Sequence, residues 1–177
     1  DGAEPHDLEL SPKMVDSLSS ADAVVYLAGF QGAVDEAIEQ QAPKTVIDVS
    51  PAAELIEAGA DANHPAEEEE EGTDEAQSGE AEGHDHEAEG HEHHHDMTAD
   101  PHFWLDPVRM AKAATLVGDK LAEADSAHAD TYKANAKALS EELTTLGDTL
   151  VSRTSTCKVK TFVTAHTAFG YLADRTG

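Results

Sequence analysis

Between Lys44 and Arg109 the chain has no Lys or Arg at all, while Asp61 to Asp100 carries sixteen carboxylates. Within that span, Asp61 to Asp96 combines the Glu67–Glu71 run, Gly, Ser and Gln spacers and a cluster of His, with no apolar periodicity. Like charges repel, and so few apolar groups leave nothing to offset the entropy of ordering the backbone, so disorder is predicted here. A structureless stretch of this length is uncommon inside a domain and is usually functional or a linker. It forces the fold to be built from what lies on either side. The formal net charge of −26 falls to about −10 without this block, ordinary for an acidic protein. Such a balance disfavours nucleic acid and anionic membrane as partners and suits cations.

The flanks read as alternating helices and buried strands. Ser11-Pro12 supplies an N-cap followed by proline at the first helical position, and Met14, Val15 and Leu18 give a short amphipathic helix. Ala23 to Leu27 is a continuous apolar run ending at Gly29, as expected of a strand covered on both faces. Gly32 to Gln41 reads as a helix, Thr45 to Val49 as a second buried strand, and Ser50-Pro51 as the cap of a helix through Glu57. This order argues for a parallel sheet with crossover helices. Beyond the acidic tract, Asp106-Pro107 repeats the cap-plus-proline start, with a helix predicted over Val108 to Glu123. Tyr132, Ala136, Leu139, Leu143, Leu146 and Leu150 recur at spacings of four and three, which predicts a long helix over 126–153 with one narrow apolar seam. That seam could pair in a coiled-coil dimer or pack along the chain's own lobes. Cys157 to Thr164 alternates and reads as a strand, with His166 just past its end and a further helix from Thr167 to Arg175. In parallel sheets, ligands bind beyond the carboxyl ends of strands.

Three His sit in ordered settings: His6 in Glu4-Pro5-His6-Asp7, His102 in Asp100-Pro101-His102-Phe103-Trp104, and His166 after Val163-Thr164-Ala165. Neutral imidazole is a good zinc ligand, but three His this far apart make a site only if the fold converges them. Glu4 and Asp106 are candidates to orient imidazoles from behind, although Asp106 is more simply a helix cap. His84, His86, His91, His93, His94 and His95, with their neighbouring carboxylates, suit plural, weak metal collection. The bland alternative is a solvated linker. His91-Glu92-His93-His94-His95 formally fits the zinc-protease pattern, but Gly and Glu break the helix that this chemistry needs. His64 and His128 read as surface residues. Cys157 stands alone, which excludes an intrachain disulfide or a zinc–thiolate cluster. No apolar run is long enough to span a membrane.

Gly2-Ala3-Glu4-Pro5-His6-Asp7-Leu8-Glu9-Leu10-Ser11-Pro12, Asp100 to Pro107, and Phe162 to Ala173 resemble, in order, the three ligand segments of the zinc-binding receptors of bacterial ABC metal importers. The acidic, His-rich tract before the second segment is similar to that of zinc-specific members. The resemblance implies an α/β fold of two metal-binding lobes joined by one long helix. Residues 1–124 would be the first lobe, lacking its start and carrying the loop 61–99. Residues 125–153 would be the connecting helix, and 154–177 the opening of a truncated second lobe. It implies a non-enzymatic, extracytoplasmic receptor, periplasmic or lipid-anchored, monomeric, that holds Zn2+ on His6, His102 and His166 and delivers it to a membrane permease. The targeting signal and a fourth, carboxylate ligand would lie outside these residues. His rather than carboxylate at position 166 is similar to zinc receptors more than to manganese ones. A manganese receptor and a surface metal-buffering or adhesion protein acting through the His tract are the alternatives.

Overall fold

In the computed structural model, residues 9–57 and 99–177 are described. His6, Glu4, His64 and the tract 61–96, with the disorder and the metal collection by six His predicted for it, lie outside the described residues. The first described element is α1 (Pro12–Ser20), entered as the cap motif predicts: Ser11 Oγ accepts the N–H of Met14 at 3.3 Å, and Pro12 takes the first turn. Strand β1 (Val24–Tyr26) leads into α2 (Gly32–Gln41), which buries Ala37 and Ile38 and ends at Ala42 in the left-handed region. Strand β2 (Val46–Asp48) then pairs parallel with β1, Val24 opposite Val46, Val25 opposite Ile47 and Tyr26 opposite Asp48. This is the β–α–β crossover that the order of apolar runs predicts.

The sheet among the described residues has these two strands, and it is only partly covered. Ile47 is buried, but Val25 is 50% exposed and Val46 lies open as well. The expectation of strands covered on both faces is therefore corrected: Val25 and Val46, which the register puts on opposite faces, both stay exposed.

Asp48, at the end of β2, gathers the turns around it. Its carboxylate accepts the N–H of Ala28 (3.1 Å), the N–H of Ser50 (2.9 Å) and the hydroxyl of Ser50 (2.6 Å). Ser50 is thus the first residue of α3 (Ser50–Ala53), not its cap, and this helix stops well short of Glu57. Glu54 turns left-handed at φ 48°, and Arg109 Nη1 donates to the carbonyls of Ala53 and Glu54. Those donors satisfy helix-end carbonyls that further turns would otherwise have used.

After a short 3-10 turn at Phe103–Leu105, α4 (Pro107–Ala124) starts at the Asp106 cap, whose Oδ1 accepts Val108 N–H at 2.9 Å. A second 3-10 turn at Ser126–His128 reverses the chain into α5 (Ala129–Thr154), the long helix that the seam predicts. Helix α5 packs along α4 of its own chain. Gly118 lies against Ala136, and Gly147 lies against Val108, where a Cβ would come within 2.9 Å of Val108 Cγ2. The apolar line facing α4 is Tyr132, Ala136, Leu143, Gly147 and Leu150, whereas Leu139 and Leu146 are roughly half exposed. The expected seam is corrected in that respect: Leu139 and Leu146 stay outside the contact, and Gly147 lies in it. The closest approaches fall at Gly118 with Ala136 and at Gly147, where small side chains let the two helices come together.

The strand expected over Cys157 to Thr164 does not form; this stretch is irregular, with Val159, Phe162 and Val163 exposed, Val163 by 95%. Alternating side chains make a strand only when a neighbour takes its backbone hydrogen bonds, and no described strand lies beside it. His166 therefore sits on a loop and not beyond a strand's carboxyl end. The chain closes with α6 (Gly170–Thr176). Its Tyr171 is fully buried in a cluster with Val49, Ala53, Phe103 and Ala113, flanked by Leu27, Leu55, Ile56 and Val117. No described helix is long and apolar enough to cross a membrane.

Candidate metal centre

Asp100 ties the second described stretch to the first. Glu57 and Ala99 form an antiparallel bridge, and Asp100 N–H donates to the Ile56 carbonyl at 2.8 Å. Pro101 follows, and the next backbone N–H, that of His102, folds back onto Asp100 Oδ1 at 2.9 Å. This is a side-chain-to-backbone turn of the kind Asp favours two residues ahead of a donor. Phe103 N–H then donates to Pro101 carbonyl at 2.8 Å, and Asp106 N–H to Phe103 carbonyl at 3.0 Å, which winds the 3-10 turn. Phe103 is driven into the core, so the neighbouring Trp104 is turned outward. Its ring meets Phe30 at 5.8 Å and the His102 imidazole edge-on at 5.2 Å. His102 is thereby buried between Trp104 and Asp100, and its ring is held from both sides.

The imidazole of His102 makes its closest contact through Nδ1, 2.6 Å from Asp100 Oδ1. A carboxylate only accepts, so Nδ1 carries the proton and the Nε2 lone pair is directed away from Asp100. Opposite lies His166, sixty-four residues on: the two Nε2 atoms are 3.2 Å apart, with the rings nearly perpendicular at 85°. Two nitrogens at about 2.0–2.1 Å from one ion in tetrahedral array stand roughly 3.3–3.4 Å apart. The observed separation is close to that spacing, and it is also within hydrogen-bond reach of the two rings. His166 is exposed, its carbonyl receiving the hydroxyl of Thr164 at 2.8 Å. The described residues hold no group of three or more His, Cys, Asp or Glu side chains set to bind a metal. They supply the pair His102 and His166, and His6 lies outside them.

Asp106 does something other than orient an imidazole. It is fully buried, and its oxygens accept Val108 N–H, Arg175 Nε (2.9 Å) and Arg175 Nη2 (2.6 Å), with Arg109 Nε 3.3 Å away. Burial alone would raise its pKa. The hydrogen bonds from Arg175 and Val108 N–H, with the charges of Arg175 and Arg109, overcome this and hold the carboxyl below its ordinary range. The same hydrogen bond raises the pKa of Arg175. Asp106 is thus committed to a clasp between α4 and α6, and its placement behind a metal-facing imidazole is corrected.

Asp100, which sequence reasoning left out of the site, holds that place behind His102. Its position is fixed further by Tyr171, whose hydroxyl donates to the Asp100 carbonyl at 2.5 Å and accepts Ile56 N–H at 2.9 Å. Burial, opposed by the Ile56 hydrogen bond and helped by Asp100, raises the Tyr171 pKa and keeps the phenol a donor. The available signal was the Asp-Pro-His order itself, which puts a short acceptor two residues before an imidazole-bearing N–H. His128 stays on the surface as predicted, its Nδ1 2.7 Å from Asp125.

The whole chain, residues 1–177, matches the family of zinc-uptake complex component A, periplasmic. It is 34% identical over 174 residues to the zinc-binding protein AdcA of Streptococcus pyogenes, spanning 97% of this chain and 32% of that protein. It is 31% identical over 177 residues to the high-affinity zinc uptake system protein ZnuA of Bacillus subtilis, covering 98% of this chain and 49% of that one. The fold resembles the crystal structure of Zn(II)-bound AdcA from Streptococcus pneumoniae, with a TM-score of 0.70 and 28% identity, over 99% of this chain and 31% of that one. The chain thus spans a third to a half of the length of these curated relatives.

Proposed function

Since the chain belongs to the family of periplasmic zinc-uptake component A proteins, we propose that it is the zinc-holding part of an extracytoplasmic receptor that delivers Zn2+ to a membrane ABC permease. The observation that carries this reading is the 3.2 Å approach of His102 Nε2 to His166 Nε2, with Asp100 on the far nitrogen of His102. The ion is cargo: it is held, not used in a reaction, so the protein acts as a receptor and not as an enzyme. His6 is the third ligand of the reading. Its segment precedes Ser11-Pro12, as in the sequence pattern of the family. Imidazole nitrogens favour Zn2+ over Mn2+, which takes more oxygen. The acidic His tract acts as an auxiliary collector with weaker, plural sites. In the lobe arrangement that goes with this reading, 1–124 forms one lobe, α5 the connecting rod and 154–177 the start of a second lobe.

Calorimetric zinc titration of the full-length protein tests the reading. His102→Ala and His166→Ala are each expected to abolish the tight site. Deletion of 61–96 is expected to leave that site and remove additional weak equivalents. Tight binding that survives His102→Ala refutes the assignment, and Mn2+ outcompeting Zn2+ would replace the cargo.

A further inference from the structure

We infer that Asp100 is a positioning residue for metal capture: it locks His102 in the tautomer and orientation that present Nε2 to the ion. The inference rests on the zinc-holding reading above and adds the residue that prepares the ligand.

Three observations converge on Asp100. One carboxylate oxygen, Oδ1, receives both the backbone N–H of His102 at 2.9 Å and its ring Nδ1 at 2.6 Å. The first contact fixes where the residue begins and the second fixes how the ring turns, so a single atom determines the direction of Nε2. The backbone of Asp100 is itself immobilised on both sides: its N–H is bound to Ile56 carbonyl, and its carbonyl is bound by the buried Tyr171 hydroxyl. The other oxygen, Oδ2, lies under the start of α6, where a Cβ on Gly170 would approach it to 3.2 Å. The carboxylate is therefore enclosed by the element that follows His166 in sequence, and it contacts His102 directly. Turning the carboxylate away would break the Nδ1 contact and the backbone turn together.

The chemical consequence is specific. A neutral imidazole can carry its proton on either nitrogen, and the wrong tautomer would place N–H, not a lone pair, toward His166. A carboxylate behind Nδ1 removes that choice and raises the donor strength of Nε2. Loss of such a partner commonly weakens metal binding by about 10- to 100-fold.

The test uses the full-length protein with Asp100→Asn, Asp100→Ala and His102→Ala, measuring Zn2+ affinity by chelator competition, the visible d–d spectrum of Co2+ bound in place of Zn2+, and the melting temperature of the metal-free protein. Asp100→Asn keeps an oxygen for both contacts, removes the charge and turns the second oxygen into an amide donor. It is expected to fold and melt like the parent, to lose roughly tenfold in affinity, and to shift the Co2+ spectrum. Asp100→Ala is expected to lose up to about a hundredfold. If the alanine variant does not fold, the asparagine variant decides alone. Parent-like affinity and an unshifted Co2+ spectrum in Asp100→Asn, with zinc lost in His102→Ala, overturn the role of Asp100 and leave the zinc reading standing. Tight zinc binding in His102→Ala overturns the reading itself, and the inference with it.

Discussion

Asp106→Ala tests the clasp between α4 and α6. The carboxylate is fully buried and holds three groups at once: the capping N–H of Val108, the Arg175 guanidinium through two hydrogen bonds, and Arg109 Nε at 3.3 Å. Loss of the cap costs about 1 kcal/mol. Leaving a buried charge without its partner costs about 3–5 kcal/mol, and the lower end applies because Arg175 is about a third exposed and partly rehydrates. The sum is about 4 kcal/mol, a large share of the ~5–15 kcal/mol that stabilises a typical domain. Asp106→Asn retains the cap and one acceptor, so its loss should be smaller, about 2–3 kcal/mol. Urea denaturation at neutral pH measures both. The pH dependence has a definite sign. The folded pKa of Asp106 lies below the unfolded value of about 3.9, so its contribution is complete above pH ~4 and is lost as pH falls through the lower folded value. The difference in stability between parent and Asp106→Asn should therefore shrink below pH ~4. A loss under 1 kcal/mol for Asp106→Ala, or a parent–variant difference that stays constant under acid, refutes the clasp.

Tyr171→Phe removes the hydroxyl that serves both Asp100 carbonyl and Ile56 N–H, and urea denaturation should show a loss of about 2 kcal/mol because two backbone groups lose their partner. Gly118→Ala places a Cβ on that of Ala136; thermal melting should show net destabilisation of about 1–3 kcal/mol even though Ala gains about 1 kcal/mol in helix propensity. Leu139→Gln and Leu146→Gln, in this 177-residue chain, should change stability by no more than about 0.5 kcal/mol, because both side chains already face solvent.

Local signals located the elements, while tertiary contacts decided their finer roles. Ser11-Pro12 and Asp106-Pro107 each begin a helix because capping is settled within four residues. The two apolar runs at Val24 and Val46 pair in parallel through a crossover helix, which their order alone implies. Cys157 to Thr164 carries an alternating pattern and forms no strand, since no pattern within a segment can reveal whether a neighbouring strand lies beside it. Leu139 and Leu146 occupy seam positions by spacing, yet Gly147 lies in the contact with α4. Apolarity marks a helix face, and close approach is set by side-chain size. At the candidate centre, His102 and His166 were legible as residues set apart from the acidic tract, and the structure brings their Nε2 atoms together. Asp106 drew attention as the nearby acid, but an arginine sixty-nine residues away claims it. Asp100 was passed over because its role depends on a turn that the Asp-Pro-His order permits and does not require.

The two imidazoles meet through contacts made elsewhere. His102 is buried, and its neighbours Phe103 and Asp106 are anchored in the core and the clasp. His166 is exposed on an irregular stretch, with nothing regular before it. What constrains it is the element immediately after: α6 is held by Tyr171 on Asp100 and Ile56, by Arg175 on Asp106, and by Arg109, whose guanidinium lies 5.0 Å over the Tyr171 ring while also binding the α3 end. Each tie runs to the segment that carries His102 or to the chain entering the acidic tract. Protein–protein contacts of the flanking elements therefore support the convergence of the two segments. Of the two imidazoles, the one held more firmly is the buried His102, and the contacts that hold it are those of Asp100 Oδ1, so a change at Asp100 acts on the pair through its anchored member.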